Sequence, residues 1–345
     1  MTRIRSLLAV AIILYTLSFA QVSAPVPVLC YHGFADDTTT IQGKLTANYS
    51  RFDEMLQFLS DHGYQTAFPE ELDAEGVDIK KPVILTFDDG LKEQLRAAEM
   101  MKKRGMRGIF FIIPSRISSG RREFMTKEEL TILEGLGHQI GVHGFSHRSM
   151  VESPEETEAV RSQALRVIQE AVPSQRAFPS FAYPFGHYDT SIVKLTSGIF
   201  RYLHTVSPGY WDGRSKLLPR MLITSDRPAE FFQEYIRTAS SFKPVLVPIT
   251  QDGAWTGVVR FRIDGAVPSG FGIIAVSADK DGYHYTSHPA ADVISVEGTI
   301  LSFDVQKYLR NFFQETRNVL SYAFVGKNGS SLYYISSGQS NWVKR

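Results

Sequence analysis

The chain has 345 residues, 43% of them hydrophobic and 21% charged, a composition too apolar for a disordered protein and a length that suits two domains. The formal net charge is +1. No strong field draws such a chain to nucleic acid or to an anionic membrane, so neither is an expected partner and function has to be argued from sites.

The first 24 residues have the layout of a secretory signal peptide: Arg3 and Arg5, an apolar stretch, and small residues around Ser18-Phe19-Ala20 as a cleavage site. The rival is an uncleaved anchor, but the apolar run is shorter than the ~20 residues that span a bilayer. Either way, residues 25 onward are expected outside the cytoplasm. Cys30 is the single cysteine, so no internal disulfide is expected. The sequence reads it as a small buried apolar side chain rather than a nucleophile paired with His32.

From Pro25 the pattern alternates strand and helix. The run PVLCY (27–31) is a buried strand that ends on His32. Ser50 is the expected N-cap of a helix carrying Phe52, Met55, Leu56 and Leu59, closed by Gly63. PVILTF (82–87) is a strand, 91–104 a helix, and GIFFII (108–113) a strand. Thr126 and Glu129 form a capping box. HQIGV (138–142) is a strand, and Ser153, Pro154 and Glu156 stand at the N-cap, N1 and N3 positions of the next helix. SFAY (180–183) is a strand, Asp189 caps a short helix, YLHTV and LLPRMLI supply two more strands, and AEFFQEYIRT the last helix. Such repetition with short connections predicts parallel strands with helices outside, here a distorted (β/α)7-type barrel over 25–243. Chemistry in such folds gathers at the C-terminal ends of the strands. Beyond Pro244 the segments 258–263, 271–277, 292–298, 299–305 and 331–337 are strand-like, and Lys327-Asn328-Gly329 carries a hairpin signal. Residues 244–345 are therefore read as a smaller all-β domain, a sandwich. The segment 306–315 is the one helical candidate within it.

Three strand ends carry candidate chemistry. TFDDG (86–90) places two adjacent carboxylates before a glycine; they point in different directions, so one can bind a metal while the other holds a water. A solvated Asp-Gly turn is the plain alternative. In HGFSH (143–147) two histidines with three residues between them can converge on one ion, and two imidazoles with one carboxylate make an open site for Zn²⁺ or a similar divalent cation. In FAYPFG (181–186) the proline and glycine permit a sharp turn that can aim a backbone N–H into a site.

In this order, TFDDG, HGFSH and FAYPFG resemble the first three motifs of the polysaccharide deacetylases of the NodB homology type, carbohydrate esterase family four. The resemblance extends over roughly 25–240 and not over the β domain. It implies that Asp88 is the general base, that Asp89, His143 and His147 hold a divalent metal (Zn²⁺ first, Co²⁺ or another ion as an alternative), and that the Phe185 N–H stabilises an oxyanion. The chain departs from the family in three places. Ala182 stands where an arginine usually tethers the base. The fourth motif is not recognisable, Tyr210-Trp211-Asp212 being the nearest stretch. The late acid histidine is absent. The first-strand Tyr31-His32 and the Phe-Ala-Tyr-Pro form of the third motif are similar to a subset, the exopolysaccharide deacetylases acting on poly-β-1,6-N-acetylglucosamine, in which the first-strand histidine is the acid. By that resemblance His32 protonates the leaving amine. Arg220, in LLPR, is the residue expected to replace the missing arginine beside Asp88.

The expected function is hydrolytic removal of N-acetyl groups from an N-acetylglucosamine polysaccharide, with acetate released. Rivals are an O-acetyl esterase or a peptidoglycan deacetylase of the same fold, and a glycan-binding protein with a dead site. The β domain is expected to associate the enzyme with polymer or the cell envelope. Tyr210 and Trp211 are either a sugar-stacking wall or core; His138 is expected to be structural, and His187, just after the Pro-Phe-Gly turn, is read as a plain turn residue with substrate contact as the alternative. His284 and His288 lack an evident third ligand for a second metal site.

Overall fold

A computed structural model describes residues 25–36, 44–74, 78–117, 119–175, 177–206, 210–211, 213, 215–241, 246–248, 258–263, 271–279, 282–289, 292–304, 307–308, 318–326 and 332–336. The expected signal peptide, the boundary at 243–244, Asp212 and most of 306–315 lie outside these residues.

A parallel strand covered on both faces reads as an unbroken apolar run. The strands Val26–Tyr31 (β1) and Pro82–Phe87 (β5) show this, with every residue buried. Between them lie the short strands Gly33–Ala35 (β2), Thr46–Asn48 (β3) and Gln65–Thr66 (β4) and the helices Tyr49–Asp61 (α1) and Pro69–Leu72 (α2). The N-cap of α1 is Asn48, whose side chain accepts from the Ser50 N–H at 2.8 Å; Ser50, the expected cap, lies inside the first turn. Then follow Gln94–Lys103 (α3), Ile109–Ile112 (β6), Lys127–Gly135 (α4), Gln139–Val142 (β7), Pro154–Ala159 (α5), Leu165–Ala171 (α6), Ser180–Ala182 (β8), Thr190–Thr196 (α7) and Tyr202–His204 (β9). A π-helical turn over 160–164 joins α5 to α6. The Thr126–Glu129 capping box and the Asp189 cap form as the sequence predicts.

Strands β1, β5, β6, β7, β8 and β9 pair in parallel in that order. The predicted strand LLPRMLI is split into Leu217–Leu218 (β11) and Met221–Leu222 (β12). The first half pairs with β9 and the second with β1, both parallel. Counted as one interrupted strand, they close the sheet into the expected seven-stranded barrel. The interruption falls at Pro219, which has no N–H to give a ladder, and leaves Arg220 between the two pairings.

Because side chains alternate along a strand, every second residue enters the barrel. Val26, Val28, Ile84, Ile109, Phe111, Ala182, Tyr202 and Leu218 form this inner cluster. Gly141 makes room for it: a Cβ there would stand 2.5 Å from the Phe111 ring. Ala67, just before α2, and Leu72, its last residue, join the same cluster. The other face of the strands packs against the helices through a larger cluster that includes Phe52, Leu56, Ala97, Leu130, Ile168 and Ile236.

The strand Tyr210–Trp211 (β10) runs antiparallel to the beginning of β1, with Trp211 opposite Val26. That is the end of the barrel away from the C-terminal mouth. Trp211 is buried and donates to Ser215 O at 2.8 Å, while Tyr210 stacks on Tyr235 of the helix Ala229–Ser241 (α8). These aromatics are core, not a sugar-stacking wall.

Beyond the barrel, Leu246–Pro248 (β13), Val258–Ile263 (β14), Ile300–Asp304 (β18) and Ile294–Glu297 (β17) form one four-stranded antiparallel sheet. Gly282–Pro289 (β16), Phe271–Asp279 (β15), Asn318–Gly326 (β19) and Leu332–Ser336 (β20) form another. The sequence reading missed β13, β16 and β19. Its Asn-Gly turn lies outside the described residues, between two strands that do pair. His284 and His288 both lie on β16, four positions apart in the strand.

His138 is structural, as expected. The Gly108 N–H donates to its Nδ1 at 3.1 Å, and its Nε2 lies 3.1 Å from Ala98 O. A neutral ring satisfies both contacts, and burial pushes its pKa down to about 4. The unfolded chain binds the proton that this ring refuses, so stability rises with pH between about 4 and the ordinary histidine value near 6.5. The thermal midpoint of the metal-depleted protein is expected to fall as pH is lowered through that window. His138→Gln, which keeps an acceptor and a donor without a titrating ring, should fall less steeply. Identical slopes for the two proteins would contradict this account.

Candidate active site

The C-terminal ends of β1, β5, β7 and β8 bring the candidate residues together. Asp88 extends the ladder of β5, its N–H donating to Tyr31 O at 2.9 Å, and its side chain enters the barrel mouth. Arg220 meets it there. Arg220 Nη1 donates to Oδ1 at 2.6 Å and Nη2 to Oδ2 at 2.7 Å, with side-chain exposures of 0% and 2%. Two of the three remaining donors of Arg220 go to Thr205 O at 2.8 Å and Thr86 Oγ1 at 3.1 Å. Ala182, where an arginine was missing, lines the same inner cluster. Burial alone would raise Asp88, but the Arg220 charge, helped by His143 and His32, outweighs it and holds the carboxyl far below the usual carboxylate range.

Three further groups approach this carboxylate, among them His143, whose Nε2 lies 3.9 Å from Oδ2. The Cys30 thiol donates to Oδ2 at 3.5 Å, and His32 Nε2 stands 3.8 Å from the same atom. Burial pushes the Cys30 thiol well up, so it stays an S–H. This answers the alternatives for Cys30: it is buried, and it is neither exposed nor activated. Gln94, fully buried at the start of α3, gives its Nε2 to His32 O at 2.9 Å and to Asp88 O at 2.6 Å. It ties the ends of β1 and β5 together.

Asp89 points elsewhere because its backbone is left-handed, with φ 76. Gly90 follows at φ 68, where a Cβ would lie 2.9 Å from the Ile112 side chain. The turn aims Asp89 Oδ1 to within 3.5 Å of His143 Nε2 and 3.2 Å of His147 Nε2. These spacings match the edge of about 3.3 Å of a tetrahedron with arms of about 2.0–2.1 Å. His143 Nδ1 is 2.9 Å from Ala182 O, so Nδ1 carries the proton and Nε2 offers its lone pair. Burial brings His143 down to about 4, against the pull of Asp88, and so favours the neutral ring that coordinates a metal. The donor set Asp89, His143 and His147 therefore fits a divalent cation. A second cluster, Cys30, His32 and Asp88, also brings ligand atoms within 4.8 Å of one another. It fits less well, since both Asp88 oxygens are engaged by Arg220 and the thiol is protonated.

Among the described residues, the non-glycine positions with positive φ are Asp89, His147 and Phe185. Each such conformation costs of order 1–3 kcal/mol and survives only where its surroundings enforce it. Phe185 (φ 58) follows Pro184 in the third motif, and its ring lies 4.5 Å from the His147 ring with 45% of the residue exposed. His187 lies near it, 5.8 Å from the Phe185 ring, with Nδ1 3.1 Å from Ser149 Oγ. The geometry thus brings every candidate site residue to one mouth: His32, Asp88, Asp89, His143, His147, Phe185 and Arg220. Sequence reasoning missed Gln94 and Glu156. Gln94 had no signal beyond a polar residue on an otherwise apolar helix face, and Glu156 looked like part of a helix cap.

Residues 75–198 match the profile of the polysaccharide deacetylase family. That span holds Asp88, Asp89, His143, His147 and Phe185, whereas His32 and Arg220 fall outside it. YxkH of Bacillus subtilis (strain 168), provisionally named a polysaccharide deacetylase, is 27% identical over 177 residues, which are 50% of this chain and 60% of that protein. The deacetylase PplD of Streptococcus pyogenes, solved with acetate, is 21% identical with a TM-score of 0.56, covering 62% of this chain and 99% of its own. A de-N-acetylase from Aggregatibacter actinomycetemcomitans is 17% identical with a TM-score of 0.53, covering 61% of this chain and 99% of its own. The barrel has the polysaccharide deacetylase fold.

Removing one partner of a buried ion pair leaves an uncompensated charge and costs about 3–5 kcal/mol. Arg220→Ala should lose about that much stability in urea denaturation. Adding Asp88→Asn to Arg220→Met should restore much of it. An Arg220→Ala protein as stable as the wild type would refute the weight given to this pair.

Proposed function

We propose that this protein is a divalent-metal-dependent hydrolase that removes N-acetyl groups from an N-acetylglucosamine-containing polysaccharide and releases acetate. One observation carries the reading. A carboxylate locked by Arg220, an Asp-His-His donor set and His32 meet at one barrel mouth, with His32 Nε2 3.8 Å from Asp88 Oδ2.

Amide hydrolysis needs an activated water, a polarised carbonyl and a proton for the departing nitrogen. Asp89, His143 and His147 would hold the cation, with Zn²⁺ the first choice and Co²⁺ a substitute. When bound, such an ion supplies Lewis acidity at the carbonyl oxygen and lowers the pKa of water. Asp88 accepts the hydrogen bond of the attacking water and takes its proton as the carbon–oxygen bond forms. Arg220 keeps the proton affinity of Asp88 low, so the proton passes on to His32, 3.8 Å away, and replaces the one that His32 gives up. His32, beside the same oxygen, gives a proton to the nitrogen as the carbon–nitrogen bond breaks. The Phe185 N–H donates to the oxyanion, a contact whose loss typically costs about 3 kcal/mol.

The pattern of residues 1–24 supports export and a site of action outside the cytoplasm. The β strands after 246 are proposed to associate the enzyme with polymer or the cell envelope. The first-strand Tyr31-His32 supports the exopolysaccharide poly-β-1,6-N-acetylglucosamine as substrate, ahead of peptidoglycan or O-acetylated glycans.

Acetate release from β-1,6- and β-1,4-linked N-acetylglucosamine oligomers, with chelator and with added Zn²⁺ or Co²⁺, tests this. Chelator-sensitive release from the β-1,6 oligomer is the expected result. Release only from β-1,4 oligomers moves the substrate toward chitin or peptidoglycan. No release, with metal bound, leaves an ester substrate or a binding role. His32→Ala should lower the amide rate by about 100-fold or more. It should largely spare an aryl acetate, whose leaving group needs no proton. Equal losses on both substrates would remove His32 as the acid.

A further inference from the structure

Helix α5 begins behind Ser153, whose hydroxyl accepts the Glu156 N–H at 3.3 Å. In a complete capping box the N3 glutamate turns back to the N-cap N–H, as Glu129 does to Thr126 at 2.8 Å. Glu156 does otherwise, for the Ser153 N–H already donates to Ser149 O at 2.9 Å. The Glu156 carboxylate, 3% exposed, crosses to the loop between the two histidines instead. Its Oε1 accepts the Phe145 N–H at 2.6 Å and the Ser146 N–H at 2.9 Å, and its Oε2 accepts the Ser146 hydroxyl at 2.5 Å. On the other side the loop meets Pro184. A Cβ on Gly144 would lie 2.7 Å from Glu156 Oε1 and 2.7 Å from Pro184 Cγ. Glycine at φ +66 is what lets the loop lie between helix and turn.

We propose that Glu156 is a positioning residue for the metal: by fixing Phe145 and Ser146, it holds His147 Nε2 facing His143 and Asp89. This rests on the assignment of Asp89, His143 and His147 as a cation site. The loop residues between two ligands have no regular ladder to hold them, and His147 itself sits at φ 65. Without the carboxylate two backbone N–H groups lose their acceptor, and the loop relaxes away from the geometry that joins the histidines. Groups that orient metal ligands commonly contribute 10- to 100-fold to affinity.

The test is the dissociation constant for Zn²⁺, by chelator competition, and the visible spectrum of the Co²⁺ form. It is run on the wild type, Glu156→Ala, Glu156→Gln and Ser153→Ala. Glu156→Ala should bind Zn²⁺ at least tenfold more weakly and shift the Co²⁺ bands. Glu156→Gln, which keeps one acceptor oxygen for both N–H groups, should lose less; it also serves if the alanine variant does not fold. Ser153→Ala removes the cap of the same helix, so it should lower the melting temperature and leave the Zn²⁺ affinity within about twofold. Wild-type affinity and spectrum in the folded Glu156 variants would overturn the proposal. So would an equal loss in Ser153→Ala, which would make the effect one of general helix loosening. A wild-type protein that binds neither ion would overturn the cation site itself, and this inference with it.

Discussion

Asp88 and Arg220 face each other through two hydrogen bonds at a depth where neither side chain reaches solvent appreciably. A lone charge at that depth is prohibitive, and a pair is tolerable only when its geometry is good and its remaining donors are used. Here the pair is bidentate, and two of the three spare guanidinium donors go to Thr205 and Thr86. The pair also joins the architecture to the chemistry. Arg220 sits in the break of the last strand, where the barrel closes between β9 and β1. Closing the barrel therefore delivers the arginine to the carboxylate, and the carboxylate arrives already ionised and already oriented.

Around this fixed point the mouth is built from strained but constrained backbone. Asp89, His147 and Phe185 each adopt a left-handed conformation, and each lies within a network that forbids relaxation. Asp89 is followed by a glycine packed on Ile112. His147 ends a loop held on one side by Glu156. Phe185 follows a proline in a tight turn whose Gly186 N–H donates to Tyr183 O at 2.9 Å. The strain turns adjacent residues to different tasks. Asp88 continues the strand and faces the lumen, while Asp89 turns away toward the histidines. Two carboxylates on neighbouring residues thus share one mouth without sharing one proton site.

Much of this was legible because it is local. Buried parallel strands are apolar runs, so PVILTF (82–87) could be bounded correctly, and the capping pattern at Thr126 needs only its own neighbours. The motifs at strand ends were legible too, since metal ligands and turn residues there are close in sequence. What was misread or left open involved a choice between equivalent local options. Asn48 and Ser50 are both good caps, and packing selected Asn48. Glu156 has the sequence of a capping-box residue, yet Ser149 O had taken the N-cap N–H and freed its carboxylate for the loop. Trp211 is an aromatic next to a tyrosine, and only its pairing with the first residue of β1 reveals that it faces the closed end.

The sequence by itself determined the alternation of strand and helix, the number of parallel strands, and the residue types gathered at the strand ends. These follow from side-chain periodicity and turn chemistry, which act over a few residues. The tertiary structure alone decided which distant groups meet. Arg220 reaches Asp88 across 132 positions, His143 takes its tautomer from Ala182 O, and Gln94 joins the ends of two strands. The reason is physical: a hydrogen bond between remote residues depends on how the whole barrel closes, and no local pattern of residues encodes that closure.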